Sequence, residues 1–79
     1  MKNIIVVTGG SGFVGSNLIE YFLKKTKLQI ISLDNYSSGS KKNHIPNKRV
    51  KYIKSDTKLI SQTLKIYKSR INAIFHFGE

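Results

Sequence analysis

The chain has 79 residues, no cysteine, and fourteen Lys and Arg against four acids, for a formal net charge of +10. This length allows one domain of marginal stability at most, and the lack of cysteine excludes disulfides and thiolate metal sites. No run approaches the roughly 18 apolar residues that a membrane span requires. We therefore expect a soluble cytoplasmic protein with no membrane partner and no metal.

The positive charge has two interpretations. A nucleic-acid partner is one of them, and it calls for basic residues gathered in a patch or stripe. Here the basic residues are scattered through every segment, and Lys, Ile and Asn fill 29 of the 79 positions, as happens in proteins from AT-rich genomes. This pattern favours a solvated surface, so we expect no nucleic-acid partner.

The first half of the chain predicts a strand, a helix and a second strand. Residues 3–8 are β-branched after Asn3 and mostly apolar, which is typical of a central strand in a parallel sheet. A glycine-rich turn follows, and apolar residues at spacings of three to four predict a helix from Gly12 to about Lys25. Residues 28–33 predict a second strand that ends at Asp34. The polar segment 35–48 predicts a long loop, which at such a length is usually functional or mobile.

The second half repeats this alternation. Residues 49–54 predict a third strand, with Val50 and Tyr52 on one face. A second helix is predicted from about Thr57 to Ser69, and a fourth strand over 73–77. Strands alternating with helices predict right-handed crossovers and a parallel α/β sheet. Because the sequence ends directly after the fourth strand, we expect it to be the amino-terminal piece of a longer protein.

Three glycines, Gly9, Gly12 and Gly15, form a Gly-x-x-Gly-x-x-Gly motif between the first strand and the first helix. Glycine permits a tight turn and a close approach of the backbone to a pyrophosphate, which then meets the free N–H groups at the helix start. The motif predicts a dinucleotide-binding turn. The alternative is a purely structural strand-to-helix connection.

Two aspartates close predicted strands at the same sheet edge as this turn. Asp34 lies 19 positions after Gly15, where a carboxylate accepts hydrogen bonds from the adenosine ribose and repels a 2′-phosphate. It therefore favours NAD over NADP, although a capping aspartate is the alternative. Asp56 is predicted to accept a hydrogen bond from the adenine amino group or to cap the second helix. His76 is predicted to be a buried or sheet-facing structural residue, and His44 has no assignable role.

Four segments in this order resemble the extended short-chain dehydrogenase/reductase family, above all its NAD-dependent sugar-nucleotide epimerases and dehydratases of the UDP-glucose 4-epimerase type. They are 8–16 (TGGSGFVGS), 33–35 (LDN), 55–56 (SD) and 74–78 (IFHFG). The resemblance implies a Rossmann-type doubly wound parallel sheet, of which 1–79 is the amino-terminal half with about four strands and two helices. It also implies bound NAD, a nucleotide-sugar substrate and a homodimer.

The resemblance also implies roles for single residues. Backbone amides of Phe13 and Val14 would face the pyrophosphate, and Asp34 would hold the ribose. The other implied cofactor contacts are Asn35, Tyr36, Ser37, Ser38 and Gly39 around the adenosine, Asp56 and Thr57 beside the adenine, and Phe77 and Gly78 toward the nicotinamide. The chain departs from the family at Gly78-Glu79, where Ala-Ala or Ala-Gly is usual.

Catalysis in the resembled family uses a Ser or Thr and a Tyr-x-x-x-Lys pair further along the chain. Tyr21 and Lys25 have this spacing, but they fall on the first helix. We therefore expect an enzyme as the full-length parent and no catalytic residue within 1–79. A non-catalytic NAD(P)-binding sensor or regulator on the same fold is the alternative.

Overall fold

The computed structural model describes residues 2–34, 41–54 and 57–77, and these form four strands and two α-helices. In chain order the elements are β1 (Ile4–Thr8), α1 (Phe13–Lys25), β2 (Gln29–Asp34), β3 (Val50–Lys54), α2 (Thr57–Tyr67) and β4 (Ile71–His76). Short 3-10 turns cover Lys41–Asn43 and Lys68–Arg70. Neither helix is long and apolar enough, over the described ranges, to cross a membrane.

The strands form one parallel sheet in the order β3-β2-β1-β4, which confirms the predicted α/β architecture. Thr8 pairs with both Leu33 and His76, so the carboxyl ends of β1, β2 and β4 share one edge. Each crossover carries a helix or a long connection, as parallel strands require. The order of the strands places the turn after β1 at the middle of that edge.

Most predicted boundaries are correct to within one residue, but the start of β4 is not. The prediction began this strand at Ala73, whereas it starts at Ile71, because Ile71 pairs with Ile4 and the register then shifts before Ile5 pairs with Ala73. The second helix also ends earlier than predicted, at Tyr67, because its last turn tightens into the 3-10 turn Lys68–Arg70.

The sheet is covered on both faces, and β1 lies between two cores. All five residues of β1 are buried. On one face Ile5, Val7 and Ile30 pack with Ile19 of α1. The opposite face, formed by residues 4, 6, 31 and 33, packs with Leu64 and Tyr67 of α2. The two helices therefore lie on opposite faces, as in a doubly wound sheet.

Arg49 ties the beginning of β3 to the end of α1. Its Nη2 donates to the Leu23 carbonyl at 2.6 Å, and its Nη1 donates to the carbonyls of Thr26 at 2.7 Å and Leu28 at 3.2 Å. A guanidinium presents several donors in one rigid fork, and a cation also suits the negative end of a helix dipole. One side chain thus satisfies carbonyls at the helix end and along the chain that enters β2.

We expect Arg49→Ala to lower the free energy of unfolding by about 2 kcal/mol, because charge-assisted hydrogen bonds to three carbonyls are lost. Arg70→Ala is the matched control, since it removes the same charge from an exposed side chain whose partners among the described residues are side-chain oxygens, Asn3 Oδ1 and Gln29 Oε1. Urea unfolding of both variants measures the difference. Equal loss in the two variants would show that Arg49 has no special part.

Candidate functional site

The glycine-rich turn lies between β1 and α1, at the carboxyl edge of the sheet and against the end of β2. Gly9 has a φ of 75°, a left-handed conformation that residues with a Cβ rarely adopt. Its N–H donates to the Leu33 carbonyl at 2.7 Å, and its carbonyl accepts from the Gly12 N–H at 3.1 Å. The turn is therefore closed on itself and held to β2.

The third glycine of the motif allows α1 to start directly against the turn. A Cβ on Gly15 would lie 2.3 Å from the Gly9 carbonyl oxygen and 2.8 Å from the Gly10 Cα. Both are backbone atoms, which cannot rotate away. Gly12 is less confined, because a Cβ there would lie 3.3 Å from the Gly9 oxygen.

Gly10 is also required, although it lies outside the predicted glycine triplet. Its ideal Cβ would lie 2.0 Å from Ser32 Oγ and 2.9 Å from Ile19 Cδ1. Ser32 is buried in β2 and Ile19 in α1. Gly10 therefore allows the turn to lie between the strand and the helix. The motif spacing alone carries no sign of this requirement, which depends on where β2 and α1 meet.

The first turn of α1 offers backbone donors at the carboxyl edge of the sheet. Gly12 is the N-cap and makes no side-chain cap hydrogen bond, and the first turn contains no acid. The first intrahelical bond runs from Ser16 N–H to the Gly12 carbonyl, so the amides of Phe13 and Val14 precede the hydrogen-bonded ladder. With the positive end of the helix dipole, they can bind an anion. The side chains of Phe13 and Val14 are exposed, at 80% and 57% respectively.

Asp34 lies beside the turn, at the end of β2, and is buried, with 7% of its surface exposed. Its Oδ2 accepts a hydrogen bond of 3.0 Å from the Ser11 N–H. The sequence placed Asp34 at this edge correctly but did not foresee a contact with the turn. Its contact with a ribose stays a prediction. In the structure its carboxylate holds the turn by accepting the hydrogen bond from the Ser11 N–H.

Asn43 and His44 reach the same turn from the segment before β3. Asn43 Nδ2 donates to the Ser11 carbonyl at 2.8 Å, and His44 Nε2 shares a 3.2 Å hydrogen bond with Ser11 Oγ. No role could be assigned to either residue from the sequence. No spacing rule could have found them, because their contacts depend on where residues 43 and 44 lie against the turn in the tertiary structure.

Comparison with known proteins assigns the family. The sequence model of the NAD dependent epimerase/dehydratase family matches residues 5–79. The chain belongs to this family. The resemblance to the epimerase/dehydratase family that the four sequence motifs predicted is confirmed.

Individual relatives of this family agree with the assignment. An uncharacterized UDP-glucose epimerase, YtcB, of Bacillus subtilis is 34% identical over 94% of the chain and 25% of its own length. The structure of epimerase Mth375 from Methanothermobacter thermautotrophicus superposes with a TM-score of 0.80 at 32% identity, over 95% of the chain and 22% of that protein. A Bacillus anthracis dTDP-glucose 4,6-dehydratase in complex with NAD gives 0.80 at 29% identity, over 94% and 26%. The chain spans about a quarter of the length of these relatives.

Several residues predicted from the epimerase/dehydratase resemblance lie outside the described residues. The structure places Thr57 at the start of α2 and Phe77 directly after β4. Phe77 is 44% exposed, and its N–H donates to the Thr8 carbonyl at 3.0 Å, which holds it next to the start of the turn. The predicted residues outside the described ranges are Asn35, Tyr36, Ser37, Ser38, Gly39, Asp56 and Gly78.

His76, predicted to be buried or sheet-facing, is exposed at the end of β4. The expectation of burial is wrong, because every second residue of β4 from Asn72 to His76 is exposed. The alternative of a sheet-facing side chain agrees with its contact to β1. His76 Nδ1 shares a hydrogen bond of 2.5 Å with Thr8 Oγ1 across the paired strands. The described residues contain no cluster of His, Cys, Asp and Glu that could hold a metal ion.

Tyr21 and Lys25, which have the family's tyrosine–lysine spacing, lie on the exposed surface of α1. Tyr21 follows the first residue of the helix by eight positions, about 12 Å along its axis. Since α1 starts at the glycine turn and runs back toward the opposite edge of the sheet, this pair lies away from the candidate cofactor site.

We expect Gly15→Ala to lower the free energy of unfolding by about 3 kcal/mol, because its methyl group overlaps the Gly9 and Gly10 backbone and outweighs the helix propensity of alanine. Gly12→Ala, with a 3.3 Å nearest approach, should cost less than about 1 kcal/mol. Chemical denaturation of both variants tests the difference. Similar stabilities would contradict the packing role of Gly15.

Proposed function

We propose that this chain binds NAD and forms the cofactor-binding amino-terminal part of a sugar-nucleotide epimerase or dehydratase, with residues 1–79 as a partial Rossmann domain. One observation carries the proposal: α1 starts directly against the glycine turn at the carboxyl edge of the sheet, and Asp34 at the end of β2 binds the same turn through the Ser11 N–H. The family match and the dehydratase neighbour solved with NAD support the same cofactor.

The residues at this edge fit a dinucleotide. Gly12 leaves the N-cap position of α1 without a side chain, so a pyrophosphate can approach the backbone donors and the positive end of the helix there. No acid in the first turn of α1 opposes that negative charge. Asp34 supplies the ribose contact, and its negative charge disfavours the 2′-phosphate of NADP.

The remaining predicted contacts complete the proposal. Residues 35–39 line the adenosine pocket, Asp56 and Thr57 flank the adenine, and Phe77 and Gly78 lie along the cofactor toward its nicotinamide. The exposed ring of Phe77, held beside Thr8 at the end of β1, is consistent with this path. NAD, when bound, supplies reversible hydride transfer.

The proposed substrate of the full polypeptide is a nucleotide sugar. The catalytic residues of the full polypeptide are proposed to lie in the region that corresponds to the part of the relatives that this chain does not span. The UDP-glucose epimerase and dTDP-glucose dehydratase among the relatives support this substrate class. They do not support the alternative of a non-catalytic sensor, since each is described as an enzyme.

Asp34→Asn is the sharpest test of the ribose assignment. The amide keeps an oxygen that can accept from the Ser11 N–H, whereas Asp34→Ala would also remove that buried contact. We expect NAD affinity to fall about tenfold and the preference for NAD over NADP to shrink, because the carboxylate charge is lost. Calorimetric titration of the full polypeptide with both cofactors measures this. Unchanged affinities would refute the assignment.

The activity is tested by supplying the full polypeptide with NAD and either UDP-glucose or dTDP-glucose. Conversion of UDP-glucose to its C4 epimer, or of dTDP-glucose to a 4-keto-6-deoxy sugar, is the expected result and separates the two reaction types. NAD binding with no turnover of nucleotide sugars would support the sensor instead.

A further inference from the structure

Ser11 is the most fully bonded residue of the glycine turn. It is 0% exposed, and its N–H, carbonyl and hydroxyl all have partners outside the turn. They are Asp34 Oδ2 at 3.0 Å, Asn43 Nδ2 at 2.8 Å and His44 Nε2 at 3.2 Å. All three polar groups of one buried residue are thus bonded to a neighbouring part of the chain.

These contacts fix the orientation of two successive peptide planes. The plane between Gly10 and Ser11 is held through its N–H by Asp34. The plane between Ser11 and Gly12 is held on both sides, since Asn43 donates to its carbonyl and its N–H donates to the Gly9 carbonyl at 3.1 Å. The next peptide units carry the amides of Phe13 and Val14, so their direction follows from these two planes.

His44 is itself held in place by β3. Its ring stacks on the Tyr52 ring, with centroids 3.8 Å apart and planes 9° from parallel. The Tyr52 hydroxyl accepts a 2.9 Å hydrogen bond from the Ile45 N–H, and Tyr52 also packs against the core on the α1 face. The segment that reaches Ser11 is therefore anchored in the sheet.

The two ends of the connection from β2 toward β3 meet at Ser11. Asp34 precedes residues 35–42 and Asn43 follows them, and the two side chains bind the N–H and the carbonyl of the same residue. Contacts between residues 23 and 32 positions apart in sequence have to offset the entropy of closing those loops. The hydrogen bonds of Asp34 and Asn43 to Ser11 thus join two regions: the connection beside the proposed adenosine site and the turn beside the proposed pyrophosphate site.

We propose that Asn43 and His44 are positioning residues, which hold Ser11 so that the first amides of α1 point at the cofactor pyrophosphate. Asn43 has the larger part, because it fixes a backbone carbonyl, whereas His44 binds a side-chain hydroxyl. The inference rests on the proposed NAD site and adds to it two residues that touch no part of the cofactor.

The test compares the affinities of the full polypeptide for adenosine and for ADP. The gain in affinity from adenosine to ADP measures the contribution of the phosphate-binding turn. Asn43→Ala loses the donor, and Asn43→Asp places an acceptor against the Ser11 carbonyl. We expect both to reduce that gain in affinity about tenfold while adenosine binding changes less than about threefold. Asn72→Ala is the matched control, since Asn72 Nδ2 also donates to a backbone carbonyl, that of Lys2, at the other edge of the sheet.

A second pair of variants isolates His44 and serves if the Asn43 variants fail to fold. His44→Phe keeps an aromatic ring on Tyr52 but cannot hydrogen-bond to Ser11, and should reduce the gain about threefold. His44→Gln places an amide within reach of Ser11 Oγ and should restore most of it. Recovery in glutamine but not phenylalanine is a result that a purely packing role would not produce.

The outcomes separate this inference from the function on which it rests. A wild-type polypeptide that binds ADP no better than adenosine overturns the proposed function and the inference with it. A wild-type gain that persists within twofold in the folded Asn43 and His44 variants overturns the inference alone. Equal reductions in the Asn72 control would overturn it as well, since the effect would not be specific to the turn.

Discussion

The approach of α1 to the backbone of Gly9 and Gly10 is the contact on which the rest of this edge depends. Only a residue without a Cβ at position 15 lets the helix begin there, because the nearest atoms belong to the backbone. That start places the first amides of α1 at the carboxyl edge of the sheet, where a strand end and a helix dipole coincide. The anion-binding property of the site is thus a consequence of packing.

Burial on both faces of β1 gives this contact a rigid base. Residues 4–8 are all buried between α1 and α2, and the strand pairs on both sides with parallel neighbours. A turn that follows such a strand begins from a close-packed, fixed position. Arg49 extends the same rigidity to the far end of α1 by binding the carbonyls where the helix stops.

Polar contacts then define the shape of the turn within that frame. Ser11 is buried at the centre of the turn, and a buried peptide group left without a partner would cost about 1–3 kcal/mol. Asp34, Asn43 and His44 supply the partners. Asp34 consequently has a structural contact in addition to its proposed ribose contact, so replacing it by alanine would mix the two effects.

The sequence by itself determined the alternation of strands and helices, the glycine triplet, the edge on which Asp34 lies, and the family, because hydrophobic periodicity and turn chemistry are local properties. Only the tertiary structure decided that β4 begins at Ile71, that Gly10 must lack a side chain, and that Asn43 and His44 reach Ser11. These features join residues distant in sequence, and their positions depend on how the strands pair and how the helix and residues 43 and 44 pack against the turn. Local sequence patterns do not predict such long-range contacts.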